Sequence, residues 1–292
     1  MNVLLYGLSY VLGHRVLGRT TPLIQGLVLT NRCNLSCRHC RVREREGQDL
    51  SFEEATAAID AFYAQGGRCL YLEGGEPFIW HDGQHDVDSI VDYAHGLGFL
   101  AVVVYTNGTF PIRTRADTVF VSVDGLRAAH DSLRGRSFDR IMGHVQASRH
   151  PSLYINYTIN SRNRDDIRAF CEYVHGMERV RGVFFYCHTP YYGYDALHID
   201  VDQRRPILQE LLDLRRTYRI LNSRAGLLAA MRNDWKRPMA ICSVYERDAV
   251  STCCRFAGDP ELCRQCGYWS YAEIDQALNL RPSALLAALR YF

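Results

Sequence analysis

No apolar run in this sequence approaches the ~18 residues needed to span a membrane, so a transmembrane helix is excluded. The opening stretch MNVLLYGLSYVLGHRVLG has no basic lead and no small-residue cleavage site, and is not read as a secretory signal. Lysine is nearly missing: Lys236 stands alone, and arginine supplies the rest of the 34 basic residues. That scarcity points to no function by itself. Set against 32 acidic residues, it leaves a formal net charge of +2, too small for a global field that would draw the chain to nucleic acid. Internal repeats and low-complexity tracts are also missing. What remains, 47% hydrophobic and 23% charged residues over 292 positions, is the composition of an ordinary globular protein.

Cysteine is abundant. Eleven occur, clustered at 33–40 and 242–266, with Cys69, Cys171 and Cys187 between. A disulfide framework spreads its bridges through a small secreted domain. Two tight clusters without a secretory signal point to metal in a reducing compartment, and hence to a cytoplasmic protein.

Short β-rich runs alternate with helical patterns. Strands are expected at 23–30, 68–73, 99–106, 118–125, 153–160 and 182–190. Helices are expected after Ser51, where Glu54 completes a capping box, and at 86–97, 137–148, 165–176 and around Ile207–Leu214. Read as six strand–helix units, this order implies parallel pairing. The fold expected is α/β, an open (β/α)6 partial TIM-like barrel over 23–222. It is preceded by an amphipathic helix at 1–22 and followed by an irregular cysteine-rich extension at 223–292. The first helix has Leu, Tyr and Val on one side and is expected to pack on the domain, with membrane-surface contact through residues 1–18 as the alternative.

Chemistry in such sheets gathers at the C-terminal strand ends. There lie NRCNLSCRHCR after the first strand, GGEP after the second, TNG after the third and SVDG at the fourth. Thiolates suit zinc or iron–sulfur clusters. Structural zinc wants four ligands, and His39 sits cramped between Cys37 and Cys40. Three cysteines on a four-iron cluster leave one iron open to a small molecule.

The C-x3-C-x2-C loop followed by GGEP resembles the radical S-adenosylmethionine (SAM) superfamily. The resemblance implies that Cys33, Cys37 and Cys40 hold a [4Fe–4S] cluster, that SAM occupies the open iron, and that one-electron reduction yields a 5′-deoxyadenosyl radical. It implies an electron donor such as a flavodoxin or ferredoxin, and places His39 near the adenine. Gly74 and Gly75 would let backbone approach SAM. Glu76 would accept from the ammonium or anchor its loop. Thr106, Asn107 and Ser122 would reach the ribose, with Asp124 either beside them or a plain turn residue. HDSLRG (130–135) resembles a stretch of the peptide-maturing branch, in which Arg134 would pair with SAM's carboxylate. Asn156, Thr158 and Asn160 share one strand face, lining the cavity or bonding within the barrel.

Near the other end, Cys263 and Cys266 form a chelating pair. With Cys242 and one of Cys253 and Cys254 they make four ligands; Cys254 is preferred, Cys253 being its rival. An auxiliary [4Fe–4S] cluster is expected, with a zinc knuckle as the alternative. The count resembles the shorter "twitch" version of the SPASM extension. A looser resemblance, carried by the apolar lead-in helix, GGEP and Cys266-Gly267-Tyr268, is to the adenosylhopane synthase group, and favours a small-molecule or lipid-like substrate. A peptide-modifying maturase is the competing reading and predicts a β-rich leader-binding wing before residue 24. A zinc-stabilised binding module is the third. Substrate contacts are expected from VFFYCHTPYYGYD (183–195): Tyr186, Cys187 and His188 are the candidate catalytic residues, Tyr191, Tyr192 and Tyr194 follow, and Phe184 and Phe185 are read as packing.

Overall fold

A computed structural model of the chain describes residues 3–18, 21–45, 49–237, 239–247, 249–254 and 258–288. Eight strands form one sheet in the order β6-β5-β4-β3-β2-β1-β7-β8. The first six are β1 (Ile24–Thr30), β2 (Cys69–Gly74), β3 (Ala101–Thr106), β4 (Thr118–Ser122), β5 (Leu153–Ile159) and β6 (Val183–Cys187). Each runs parallel to its neighbours, as the alternating pattern predicts.

Helices α1 (Val3–Leu17), α2 (Phe52–Ala64), α3 (Val87–Leu97), α4 (Arg127–Arg134), α5 (Phe138–Ala147), α6 (Ile167–His175) and α7 (Arg205–Leu214) accompany them. Ser51 and Glu54 form the expected reciprocal cap on α2. One unit departs from the expected series. The crossover from β3 to β4 contains no helix, and two helices, α4 and α5, separate β4 from β5. Residues 107–117 are interrupted by Gly108, at φ 74°, and by Pro111. Ile112 and Ala116 are buried there and fill the space a helix would cover.

The extension is less irregular than its composition suggests. After α8 (Arg224–Arg232), β7 (Cys242–Glu246) pairs parallel with β1, and β8 (Ala249–Thr252) turns back antiparallel. Helices α9 (Pro260–Arg264), α10 (Trp269–Leu278) and α11 (Pro282–Ala288) follow. Short strands carrying Cys, Ser and Glu give little β signal in isolation; pairing with β1 supplies it.

Strand parity sets what faces the barrel. Val119, Val121, Val183, Phe185 and Cys187 point outward into the core shared with the helices. Phe120, Tyr154 and Phe184 point inward. Rings on successive strands meet inside: Tyr71 to Tyr105 at 5.9 Å, Tyr105 to Phe120 at 5.0 Å and Phe120 to Tyr154 at 5.4 Å. These aromatics fill the interior on the N-terminal side of Ser122 and Asn156, so open space is left at the C-terminal strand ends.

Helix α1 packs, but not by its leucines. Tyr6 and Tyr10 donate to the carbonyls of Gly66 and Thr21, while Leu5, Leu8, Leu12 and Val16 stay exposed. The helix is apolar nearly all round, so burying its tyrosine side leaves the leucines outward. No helix among the described residues is long and apolar enough to cross a membrane.

Candidate functional site

The cysteine loop leaves β1 and is tied down at several points by backbone. The Gly75 and Glu76 amides donate to the carbonyls of Thr30 and Arg32 at 2.7 and 2.9 Å. A Cβ on Gly75 would lie 2.1 Å from the Arg32 carbonyl oxygen. Only glycine lets these two strand ends approach so closely. Farther along, the Cys40 amide donates to Cys37 O (3.1 Å), and the Arg38 amide donates to Leu133 O on α4 (2.8 Å). Cys33 and Cys37 are half-buried and Cys40 is exposed; all three are free thiols.

Glu76 anchors its loop in this structure. The residue is fully buried. Its Oε1 accepts from Thr106 Oγ1 (2.8 Å) and the Phe78 amide (3.2 Å), and its Oε2 from the Asn107 amide (2.7 Å). Burial pushes its carboxyl up to about 7. The same bonds engage two residues expected at the ribose. The Thr106 hydroxyl, aimed at the ribose from sequence, is buried and shared between Glu76 and the Gly108 amide. Asn107 is spent within the loop: its amide nitrogen donates to Asn34 Oδ1 (2.9 Å) and lies 3.7 Å from Cys33 Sγ, and its oxygen accepts from Thr109.

Asp124 lies in a buried ion pair with Arg134. It is fully buried, accepting from Arg134 Nε (2.6 Å) and the Thr158 amide (2.8 Å). Burial alone would raise its pKa; Arg134, then His39, overcome that and hold it below the ordinary carboxylate value. The rest of the HDSLRG stretch serves the same corner. His130 Nδ1 accepts from the Asp124 amide (3.2 Å), and Asp131 receives the Ser137 and Phe138 amides that begin α5. Arg134 spends Nε on Asp124, and its terminal nitrogens make no hydrogen bond among the described residues. They remain available to an anion.

Around the cysteine loop stand polar atoms without partners. His39 Nδ1, Asn31 Oδ1 and Asn156 Oδ1 are buried and unbonded among the described residues. His39 Nε2 lies 3.7 Å from Asp124. Burial, then Arg134, lowers the His39 pKa to about 4, so the imidazole is neutral. Ser122 pairs in register with Asn156 across β4 and β5, and its hydroxyl is unbonded among the described residues. Asn160, by contrast, is tied to Thr158 O and the Arg162 amide. Three thiols, orphaned acceptors and unspent donors around one strand-end opening fit a bound cluster with a small polar ligand. Among the described residues no three Cys, His or acidic side chains stand close enough to chelate a single metal ion; a four-iron cluster spreads its ligands more widely.

On β6, Tyr186 faces the interior, its hydroxyl 3.5 Å from that of Tyr105. His188 follows on the same face, its Nε2 3.1 Å from Asp195 Oδ2. Cys187, the candidate between them, faces the other way. It is buried in the outer core, and its amide donates to Gly267 O at 2.9 Å. A Cβ on Gly267 would overlap the Cys187 carbonyl, so these backbones are in direct contact. Phe184 and Phe185 are packing residues, inside and outside the barrel respectively.

The second group of cysteines is drawn from separate elements. Cys242 opens β7 and is buried, its Sγ 3.7 Å from Tyr271 Oη. Cys263 lies on α9, and the Cys266 amide donates back to its carbonyl at 3.3 Å. Burial pushes the Cys242 thiol up to about 12 and the Cys266 thiol up to about 11, and Cys254 adds to both. Cys253 sits in the core at φ 70°, with its carbonyl accepting from Tyr271.

Sequence reasoning missed Asn31, whose only signal is its place one turn before the cysteines, and Arg162, which lies in the turn after β5.

The family model described as the radical SAM superfamily matches residues 27–174. Fe-coproporphyrin III synthase of Methanosarcina barkeri is 29% identical over 201 residues, covering 64% of this chain and 49% of that protein. AdoMet-dependent heme synthase of the same organism is 35% identical over 155 residues, covering 48% and 43%. The chain thus spans about half the length of these relatives or less. Among solved structures, Streptococcus suis SuiB bound to S-adenosylmethionine superposes with a TM-score of 0.66 at 13% identity, covering 93% of this chain and 68% of that one; at such identity the likeness is one of fold. With the matched span reaching over half of its residues, from β1 through α6, this chain belongs to the radical SAM superfamily.

Proposed function

We propose that this chain cleaves S-adenosylmethionine reductively and turns the 5′-deoxyadenosyl radical on an unactivated carbon of a small-molecule or lipid-like substrate. The observation that carries this reading is the group of free thiols at Cys33, Cys37 and Cys40 beside the orphaned atoms of His39, Asn31 and Asn156. When bound, a four-iron cluster supplies the electron that splits SAM. The chain's own residues do the holding. Glu76 fixes the GGEP loop against the cluster loop, neutral His39 offers a ring face and an acceptor, and the terminal nitrogens of Arg134 take a carboxylate. Ser122 and Asn156 offer a hydroxyl and an amide from adjoining strands.

A second [4Fe–4S] cluster on Cys242, Cys254, Cys263 and Cys266 completes the reading. Cys254 is favoured over Cys253 because it is half-buried, like Cys263 and Cys266, whereas Cys253 is buried. Cys253 is committed to the core behind Cys242. The names of the heme and coproporphyrin synthases point to small-molecule chemistry and favour that substrate class.

Anaerobically reconstituted protein is expected to hold about eight irons, and dithionite should release 5′-deoxyadenosine from SAM. Cys37→Ala should abolish that release; unchanged release would overturn the assignment of the first site. About four irons with one zinc would overturn the second.

A further inference from the structure

Beside the cysteine loop lies a cavity of about 280 Å³ whose walls include Arg38 and Arg41 from that loop, Arg162 from the turn after β5, and Tyr192 and Tyr194 from the loop after β6, with His188 among its lining. We infer that this cavity binds the substrate through oxyanions: the substrate carries at least two carboxylate or phosphate groups next to an apolar or aromatic body. The inference rests on the radical SAM reading and adds to it the class of molecule that the radical meets.

Three cations in one cavity repel one another, and the protein supplies little to offset them. Arg38 and Arg162 make no side-chain hydrogen bond or ion pair among the described residues. Arg41 has only Glu44, at 4.0 Å and with both side chains exposed, a geometry of small worth. Its guanidinium lies 5.3 Å from the Tyr192 ring centroid instead. The cavity's carboxylate, Asp195, is already used by His188 (3.1 Å) and the Leu197 amide (2.8 Å).

Several of the chain's other arginines are paired. Arg32 meets Asp49, Arg45 meets Glu246, Arg115 meets Asp88 and Asp92, Arg127 meets Asp139, and Arg232 meets Asp234. Here two unspent guanidinium forks and a third, weakly held one line a single cavity beside the reactive loop. Each fork matches a carboxylate or phosphate bidentately, and three of them exceed what one SAM carboxylate, already offered Arg134, can use. The tyrosine side of the cavity suits the uncharged body of such a ligand.

Titration calorimetry on the reconstituted wild-type protein tests this near neutral pH with two tetraanions, benzene-1,2,4,5-tetracarboxylate and inorganic tripolyphosphate, and with benzamide as an uncharged control. At least one tetraanion should bind, more weakly at high salt, and benzamide should not. Arg38→Ala and Arg162→Ala should each weaken that binding about tenfold or more, whereas Arg127→Ala, on another surface, should not. Preference between the two tetraanions separates carboxylate from phosphate. Absence of binding by both, binding unmoved in Arg162→Ala, or full displacement by SAM would each overturn the inference, the last by assigning the arginines to SAM itself. A protein that cleaves SAM but binds neither tetraanion leaves the radical SAM reading standing. One that binds a tetraanion but never cleaves SAM does the reverse.

Discussion

Asparagine at position 124 should destabilise the chain by ~3–5 kcal/mol, the cost of breaking a buried ion pair from one side. The structure sets that scale. Asp124 is fully buried and Arg134 is 8% exposed, so the Nε side of the guanidinium left behind recovers little water. An amide keeps the bond from the Thr158 amide, 2.8 Å from Oδ1, but risks turning an NH2 toward Arg134 Nε, which now sits 2.6 Å from Oδ2. The double substitution Asp124→Leu with Arg134→Met removes both charges. It should return to within ~1–3 kcal/mol of wild type, the residue being the Thr158 amide left without an acceptor. Urea unfolding followed by far-ultraviolet circular dichroism measures all three. An asparagine variant that loses less than ~1 kcal/mol would refute the reasoning, because no desolvated charge would then have been exposed. So would a double variant worse than either single change. The consequence extends to the site, since α4 carries Arg134 and also the Leu133 carbonyl that holds the Arg38 amide of the cysteine loop.

Glu273 on α10 accepts from the Ser223 amide at 2.8 Å, while its Oε2 is buried without a partner among the described residues. Burial raises its pKa from 4.5 to about 7. The folded state therefore holds a proton that the unfolded state has released, and stability should fall as pH rises through that window. Glu273→Gln should flatten the slope between those two values; parallel curves of urea midpoint against pH would contradict the assignment. Gly75→Ala places a methyl 2.1 Å from the Arg32 carbonyl, backbone against backbone. It should cost ~1–3 kcal/mol and lower iron content by about half, through loss of the first cluster alone. Full iron with normal SAM cleavage would show that the GGEP loop tolerates separation from the cysteine loop.

Most of the strand order was legible because each strand is bounded by turn residues and each helix carries its own apolar stripe. The cysteine loop was legible because three soft ligands within eight positions have few structural uses. Two features were not. The β3–β4 crossover lacks a helix, yet Ile112 and Ala116 fill the helix layer from irregular backbone; no periodicity advertises that. The β7 strand exists because β1 offers it an edge from Ile24 to Leu27, a partner more than two hundred residues away. The convergence of Arg162 with Arg38 and Arg41 is likewise a product of two turns meeting, and neither turn alone carries it.

Strand parity decides where two of the candidate residues, Thr106 and Cys187, face. A half-buried strand writes its parity into the sequence, because polar residues mark the outer face. Here both faces are covered: the inner by aromatics on successive strands, the outer by helices. Consequently β6 reads Val-Phe-Phe-Tyr-Cys with nothing to mark its inner side. Fixing one residue settles the rest. Tyr186 inside puts His188 inside and Cys187 out, and Tyr105 inside puts Thr106 behind the loop with Glu76. On β4 and β5, where Phe120 and Tyr154 face inward, parity brings Ser122 and Asn156 onto the open face. The chemistry at a strand end therefore depends on a single alternating choice made deep in the barrel. In this chain the tyrosines and phenylalanines of the interior make that choice, and so decide which polar residues reach the opening beside Cys33, Cys37 and Cys40.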